Sequence, residues 1–401
     1  MRPGETVSLA NPFATLPPSP QKDLQDYADK VVLPLFSNPA WRIRVSILFL
    51  CTFFVHQRMA AQDASPQFSD LAARAASARD QQNLPLAIQL YTQAVQTNPG
   101  WQEGWWYLGV LQYSSNQYSG AIDAFSHLLQ IAPTAVPAMA LRGLSEFETG
   151  AYDDALRDLD QAVAHGAANE PRNEQIIRYH LALLLAHAAR FEDALAQYTA
   201  LARLHAEAPD LFIAIGLAGT RSTAFPGDVP ATDRAFYEPA GRAGYVFLSG
   251  DDQEADRLFT ELFALYPARP ALHFYYGYLL FPHDPAMAGD QFREELALKP
   301  TSETQALLAL TLIYEGQFAE ALQPAQAAYE GDPNLHIAQI ALGRALAETG
   351  DMKRGAELLT QAIQRDPNDL EAHLGLASIY SHTGDREEEA RERKICRDLA
   401  K

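Results

Sequence analysis

Two histidines on one predicted helix are the first residues in this chain whose type and spacing could hold a metal ion. His180 and His187 lie seven residues apart in RYHLALLLAHAARF and therefore share one helical face. A metal site needs a third and a fourth ligand, and neither a cysteine nor a carboxylate lies nearby at helical spacing. His273 and His283 flank HFYYGYLLFPH and are interpreted as helix-end residues. We therefore predict no metal site and interpret the first pair as packed or half-exposed side chains.

The sequence motifs of enzymes are absent as well. No GxSxG, HExxH, Walker-type or GxGxxG string occurs in the sequence. The string GLAGTR, residues 216–221, contains glycines but lacks the lysine of a phosphate loop. The pairs Asp153-Asp154 and Asp251-Asp252 fall where turns between helices are expected, and acidic side chains there favour the positive N-terminus of the next helix. The sequence predicts no catalytic residue, no cofactor and no enzymatic activity.

The composition favours a folded and strongly acidic protein. Apolar residues make up 48% of the 401 residues, which is enough for a buried core. The formal charge is −19, and residues 1–64 carry +1 of it, which leaves −20 for the rest. So acidic a body repels phosphate backbones, and we predict no nucleic-acid partner. The two cysteines, Cys51 and Cys396, cannot form a disulfide framework or a four-ligand zinc site.

The amino-terminal segment has the features of an export signal. Arg42 and Arg44 precede the apolar run VSILFLCTFFV, residues 45–55. This run is too short for the ~20 residues that span a bilayer, but it has the length of a signal-peptide core. The small residues of MAAQDA supply an imperfect cleavage site. Residues 45–64 are therefore predicted to be a signal peptide or signal anchor, and the protein is predicted to be exported, periplasmic or envelope-associated.

Residues 1–44 are too many for the charged region of an ordinary signal peptide. They are rich in proline and polar residues, and we interpret them as a disordered extension, with the true start either at Met1 or downstream of it. The alternative is an uncleaved anchor, in which residues 45–55 hold the protein in the membrane. Beyond that anchor we expect no integral membrane span. Cys51 is not read as a lipidated cysteine, because Leu50 stands where a small residue is required.

A repeat of about 34 residues is the strongest pattern in the sequence. An amphipathic stretch, such as DAFSHLLQIAP, precedes each of six prolines. About 17 residues before three of these prolines a glycine marks a turn, as in GDM at 350–352. Glycine suits the end of a helix and proline suits the break after the next one. The pattern predicts helix, glycine turn, helix and proline stop, repeated. The six prolines are Pro99, Pro133, Pro267, Pro300, Pro333 and Pro367.

This pattern resembles the tetratricopeptide repeat, over roughly residues 68–395. The resemblance implies an all-α, right-handed superhelical solenoid of about nine helical hairpins, over residues 65–401. Each hairpin leaves an apolar face that the next hairpin must cover. The unit at 102–135 matches best, and its matching residues are Trp105, Leu108, Gly109, Ala121, Phe125 and Pro133.

Two stretches depart from the repeat. A long loop containing Pro226 and Pro230 follows the helix DLFIAIGLAGTR, and we predict an irregular insertion at 222–232. The next helix is predicted to begin near Thr232-Asp233 and to tolerate a proline near its beginning. The second departure is FPHDP, residues 281–285, which stands in place of a glycine turn.

The resemblance also implies where a partner would bind. In this family, positions 5, 9 and 12 of the first helix of each repeat line a concave groove. The lysine and asparagine with which some members clamp a terminal carboxylate are absent, because Ala72 and Ala76 stand there, and Arg344 is the only basic residue placed on the groove face. For each aromatic residue at these positions the alternative is a place in the core between repeats. The groove residues so predicted are Trp106, Tyr113, Phe147, Tyr179, Phe247, Phe274, Tyr278 and Phe281.

The expected function is therefore a non-catalytic scaffold for protein–protein interaction. It would bind partner polypeptides along the aromatic groove, and the excess of acid would favour basic or neutral segments. The alternative is an accessory or regulatory subunit of an envelope enzyme encoded elsewhere.

Overall fold

A computed structural model describes residues 66–167, 171–206 and 210–399. These residues form nineteen α-helices and one 3-10 turn, with no strand among them. The prediction of an all-α helical-repeat fold is confirmed. The predicted extension at 1–44 and the predicted signal at 45–64 lie outside the described residues, so both stay predictions.

The chain divides after Leu185 into an amino-terminal and a carboxy-terminal unit. In the first unit, α1 pairs with α2, α3 with α4, and α5 with α6, each pair forming a helical hairpin. A seventh helix begins in this unit and ends two residues beyond its limit. These helices are α1 (Pro66–Asp80), α2 (Leu84–Thr97), α3 (Gln102–Ser114), α4 (Tyr118–Ile131), α5 (Val136–Thr149), α6 (Tyr152–Ala164) and α7 (Pro171–His187).

The second unit holds twelve helices. Here α9 packs extensively against α10, α10 also packs against α11, and the later helices pair in sequence as hairpins, α12 with α13 through to α18 with α19. The helices are α8 (Phe191–Arg203), α9 (Leu211–Gly219), α10 (Ala231–Leu248), α11 (Asp252–Leu265), α12 (Leu272–Leu280), α13 (Pro285–Leu298), α14 (Ser302–Tyr314), α15 (Phe318–Gly331), α16 (His336–Thr349), α17 (Met352–Arg365), α18 (Leu370–Thr383) and α19 (Arg386–Leu399).

The hairpins close because a small residue on the first helix faces a large one on the second. At Gly109 of α3 an added Cβ atom would lie 2.6 Å from the ring of Phe125 in α4. Phe125 is fully buried in this space, and Ala121 beside it is fully buried too. The glycine therefore lets the two helices approach closely, and the phenylalanine fills the space that remains.

Helix α9 is almost wholly buried and packs against α10 with almost no space between the backbones. A Cβ atom at Gly216 would lie 2.1 Å from the carbonyl oxygen of Tyr237, and one at Gly241 would lie 1.6 Å from that of Phe212. Residues 220–230, which join the two helices, contain the single 3-10 turn. The glycines are thus required by the contact between the two helices.

Helix α10 begins at Ala231, one residue before the predicted start, and its proline lies in the middle rather than near the beginning. Pro239 has no N–H to donate to the carbonyl oxygen of Ala235 four residues earlier. The hydroxyl of Tyr266 donates to that oxygen instead, at 3.0 Å. The helix therefore continues through the proline to Leu248.

The start of α12 is stabilised by a side chain from the following helix. Ala271 occupies the N-cap position in a left-handed conformation, with φ 68°, and has no side-chain oxygen with which to cap. Glu295 of α13, which is 2% exposed, accepts hydrogen bonds from the backbone N–H of Ala271 at 2.8 Å and of Phe274 at 3.2 Å. A buried carboxylate thus satisfies two donors that begin the helix.

Candidate functional site

The two predicted groove residues of α3 are buried. Trp106 is 4% exposed and its ring packs against Phe125, with ring centroids 5.9 Å apart. Tyr113 is 8% exposed and meets the ring of Tyr118 edge-on at 5.6 Å. Both partners belong to α4, so these rings fill the space inside one hairpin.

Phe147 and Tyr179 are half-buried, and the structure brings both to one histidine. The ring of His180 lies 4.9 Å from that of Phe147 and 5.6 Å from that of Tyr179. His180 donates from Nδ1 to the carbonyl oxygen of Ile176 at 2.8 Å, and burial lowers the pKa of its imidazole. The histidine is therefore packed, which is one of the two placements that the sequence suggested.

His187 has a separate environment. Its Nδ1 lies 2.9 Å from the carbonyl oxygen of Thr223, and its ring stacks on Phe225 at 4.5 Å. The helical face that the sequence assigns to both histidines therefore carries two unrelated packing contacts.

The amino-terminal unit also buries a group of three charged side chains. The guanidinium of Arg142 binds both oxygens of Asp158, at 2.5 and 3.0 Å, and Asp158 is 1% exposed. Glu146 lies 3.7 Å from the same guanidinium, and its Oε2 is buried without a hydrogen-bond partner among the described residues. Burial, with the charge of Asp158, raises the pKa of Glu146 from near 4.5 to about 7. One arginine is shared by two carboxylates here.

In the carboxy-terminal unit, Phe247 and Phe274 are also buried. Phe247 is 8% exposed and contacts His283, with ring centroids 5.9 Å apart. Phe274 is 4% exposed and contacts Phe292 of the neighbouring helix α13 at 6.1 Å. These two positions belong largely to the interior.

Tyr278 and Phe281 are only half-buried, and they continue into an exposed tyrosine that the sequence analysis missed. Tyr278 stacks along Phe274 at 6.3 Å, and Phe281 meets Tyr314 of α14 edge-on at 5.7 Å. Tyr314 is 45% exposed. We call Phe274, Tyr278, Phe281 and Tyr314 the aromatic row. Tyr314 lies 33 residues, one repeat, after Phe281, and this spacing would have identified it.

An arginine that the sequence analysis also missed lies at one end of this row. Arg221 follows α9 with a left-handed backbone, φ 61°, and its side chain is 14% exposed. Its guanidinium lies over three rings, 4.7 Å from the centroid of Phe274, 5.1 Å from Tyr278 and 5.2 Å from Phe191. The arginine thus joins α8 to α12 through stacking on aromatic faces.

The same guanidinium is shared by two carboxylates. Nη2 of Arg221 donates to Oε1 of Glu192 at 2.5 Å and to Oε1 of Glu303 at 2.8 Å. Its Nε and Nη1 are buried and have no hydrogen-bond partner among the described residues. Burial raises the pKa of Glu303, against the opposing effect of Arg221, and raises that of Tyr278 to about 12. We call Glu192, Arg221 and Glu303 the arginine–carboxylate group.

A second arginine repeats this arrangement further along the row. The guanidinium of Arg344, on α16, lies 4.9 Å from the ring centroid of Tyr314 and binds Glu371 of α18. The hydroxyl of Tyr314 donates to the same carboxylate. Burial, followed by the charge of Glu371, raises the pKa of Tyr314 to about 12. The side chain of Arg344, which the sequence placed on the groove face, is 11% exposed and is already bound to Glu371.

One group of three potential metal ligands occurs among the described residues. Ligand atoms of His336, Asp366 and Asp369 lie within 4.8 Å of one another. Asp369 caps α18 by accepting from the N–H of Ala372 at 2.8 Å, and its other oxygen lies 3.0 Å from Nε2 of His336. Asp366 accepts from the N–H of Asn368 at 2.9 Å. Turn and cap hydrogen bonds account for this geometry.

A sequence profile described as tetratricopeptide repeat matches residues 72–136 and 140–221, and a second profile of the same description matches residues 346–392. These matches fall on the hairpins described above. The chain is a tetratricopeptide-repeat protein. The resemblance inferred from the spacing of prolines and glycines is thereby confirmed.

Three solved structures resemble this one at low identity. One is YrrB, "a TPR protein with an unusual peptide-binding site", at 18% identity and a TM-score of 0.33, covering 42% of this chain and 92% of that one. Another is yeast Tom70, at 14% identity and a TM-score of 0.30, covering 83% of this chain and 92% of that one. A third is a tetratricopeptide repeat protein from Parabacteroides merdae, at 15% identity and a TM-score of 0.32, covering 70% of this chain and 98% of that one.

No curated protein matches the sequence of this tetratricopeptide-repeat protein. Within the described part of the chain, no helix has the length and apolar character needed to cross a membrane.

Proposed function

We propose that this tetratricopeptide-repeat protein is a non-catalytic scaffold that binds a partner polypeptide along the aromatic row of its carboxy-terminal unit. The proposal rests on the partly exposed rings of Tyr278, Phe281 and Tyr314. Tetratricopeptide repeats bind protein or peptide partners, and aromatic rings provide a large contact area at a low entropic cost. The surface fits an extended or helical peptide.

The remaining predicted groove residues support this proposal unequally. Phe147 and Tyr179 are half-buried and available in part, whereas Trp106 and Phe247 are at most 8% exposed. A buried ring supports the shape of a binding surface but offers a partner little area. The proposal therefore gives most of the binding energy to the row in the second unit.

Selection of random displayed peptides against the full-length protein tests the function. We expect enriched peptides to lose binding by about tenfold or more when Phe281 and Tyr314 are both changed to alanine. The control is Leu265→Ala, because Leu265 is 71% exposed on α11 and contributes nothing to the row. Peptides that bind the double variant and the wild type equally would contradict a binding role for the row.

The alternative, an accessory subunit of an enzyme encoded elsewhere, predicts a different partner distribution. Cross-linking in the native cell envelope followed by mass spectrometry would then recover a single stoichiometric enzyme. A scaffold would recover several partners, each lost in the Phe281→Ala, Tyr314→Ala variant.

A further inference from the structure

The surface around the aromatic row carries more acid than base. Three carboxylates lie along it and share two guanidiniums. The formal charge of this group is therefore −1. The carboxylates are Glu192, Glu303 and Glu371.

The imbalance is clearest in the arginine–carboxylate group. Two carboxylates meet one guanidinium, and both bonds use a single nitrogen of Arg221 and a single oxygen of each glutamate. The second oxygen of each accepts no hydrogen bond from any residue that the structure describes. The side chain of Glu192 is 52% exposed and that of Glu303 is 34% exposed, so another molecule can reach both.

The two guanidiniums that stack on the row are hard to reach, and the exposed Arg190, two residues before Glu192, is paired with Asp193 at 2.7 Å. The side chains of Arg221 and Arg344 are 14% and 11% exposed, and rings cover them. An acidic segment would therefore meet the exposed glutamates without reaching a compensating cation. A cationic side chain would meet two incompletely used carboxylates and the half-buried ring of Tyr278.

We propose that the segment bound along the aromatic row is basic, with an arginine or lysine side chain seated between Glu192 and Glu303 and an apolar neighbour packed on Tyr314. This inference rests on the proposed function and adds the chemistry of the partner to it. The seated cation brings the arginine–carboxylate group from a formal charge of −1 to zero. Charged hydrogen bonds to the free oxygens then fix the register of the segment.

Arg221 and Arg344 show in this same protein how such a cation is held. Each stacks on a tyrosine of the row, and each binds a carboxylate from a neighbouring helix. The partner's cation would use the same two kinds of contact. The aromatic row thus supplies apolar contact, and the carboxylates select the charge.

Fluorescence anisotropy with three labelled peptides tests this inference on the full-length protein. Each peptide has about twelve residues, enough for an extended segment, with leucine alternating with arginine, with citrulline or with glutamate. Citrulline keeps the shape of arginine without its charge. We expect the arginine peptide to bind about tenfold or more tightly than the citrulline peptide, and the glutamate peptide to bind most weakly.

Two charge-matched double variants locate the effect. Glu192→Gln, Glu303→Gln should remove most of the preference for arginine over citrulline. The control is Glu294→Gln, Glu320→Gln, which alters the net charge equally at exposed sites on α13 and α15 and should keep the preference. A preference that persists in the first variant, or that falls equally in both, would mean that general attraction to an acidic protein explains the binding.

A salt titration of the wild-type protein does not depend on how the variants fold. Raising sodium chloride from about 50 to about 500 mM should weaken the arginine peptide strongly and the citrulline peptide little. Equal binding of arginine and citrulline peptides, both lost in Tyr314→Ala, would overturn the basic partner but keep the proposed function. Failure of every peptide to bind would overturn both.

Discussion

The two units use the same repeat in different ways. In the amino-terminal unit the first helices turn Trp106 and Tyr113 into the hairpin, and Arg142 pairs with a carboxylate that is almost wholly buried. In the carboxy-terminal unit Phe247 and Phe274 are buried as well, but Tyr278, Phe281 and Tyr314 stay partly exposed, and Arg221 and Arg344 stack on Tyr278 and Tyr314. An aromatic residue at a groove position is therefore not enough to make a groove, since the neighbouring helices decide whether it faces a partner or the core.

The sharpest test of this comparison is the effect of ring removal on stability. Trp106→Ala should lower the free energy of unfolding by about 3–5 kcal/mol, because a large buried ring is lost. Tyr314→Ala should cost about 1 kcal/mol or less, because its ring is 45% exposed. Urea denaturation followed by circular dichroism measures both. Similar losses in the two variants would remove the distinction between a packed unit and a binding unit.

The α9–α10 contact should be nearly as sensitive. Gly241→Ala should cost about 3 kcal/mol or more, because the new methyl group would collide with the carbonyl oxygen of Phe212 and the two backbones would have to separate. Gly227→Ala is the matched control, because nothing lies within 4 Å of its Cβ position in the loop between the same helices. We expect the control to change the melting temperature little, and a large loss there would mean that the loop, and not the helix contact, carries the sensitivity.

The buried charges of the amino-terminal unit should make its stability depend on pH. The pKa of Glu146 is raised in the folded state, so the folded protein binds more protons than the unfolded chain between about pH 4.5 and 7. Stability from this group is therefore present below about pH 4.5 and is lost as the pH rises to about 7. Glu146→Gln should raise the free energy of unfolding by about 2 kcal/mol at pH 8 and change it very little at pH 4.5.

The control for the pH effect is Glu320→Gln, which changes an exposed glutamate of the other unit. Chemical denaturation of each variant at several pH values measures the difference. A stabilisation by Glu146→Gln that is the same at every pH would show that folding does not raise the pKa of the carboxyl group.

The smallest effect is expected from the amino-terminal segment. Removing residues 1–64 should leave the free energy of unfolding of the helical repeats unchanged within about 0.5 kcal/mol.

Amino-terminal sequencing of the native protein should find a start near Gln62 or Ser65 in an extracytoplasmic fraction. An intact Met1 in the cytosol would contradict the predicted export.

The fold could be predicted from the sequence because each repeat carries local signals of where its helices begin and end. Glycine turns and proline stops recur at a fixed distance, and the first and second helices follow from them. What the sequence did not reveal depends on distant contacts. Gly216 and Gly241 look ordinary in their own segments, and only their mutual approach shows why α9 and α10 pack so closely.

The candidate site was predicted in part for the same reason. Family register located Tyr278 and Phe281, but register alone does not distinguish a half-buried ring from a buried one such as Phe274. Arg221 lay in a string interpreted as a glycine-containing helix, and its partner Glu303 is 82 residues away. No local pattern predicts such a pair.

The cap of α12 has a consequence for how this region opens. Because Glu295 belongs to α13, the amide hydrogens of Ala271 and Phe274 stay protected only while α13 remains docked. Native-state hydrogen exchange at these two amides therefore reports on the undocking of a different helix. The first turn of α12, which carries Phe274 of the row, therefore cannot fray while α13 remains docked.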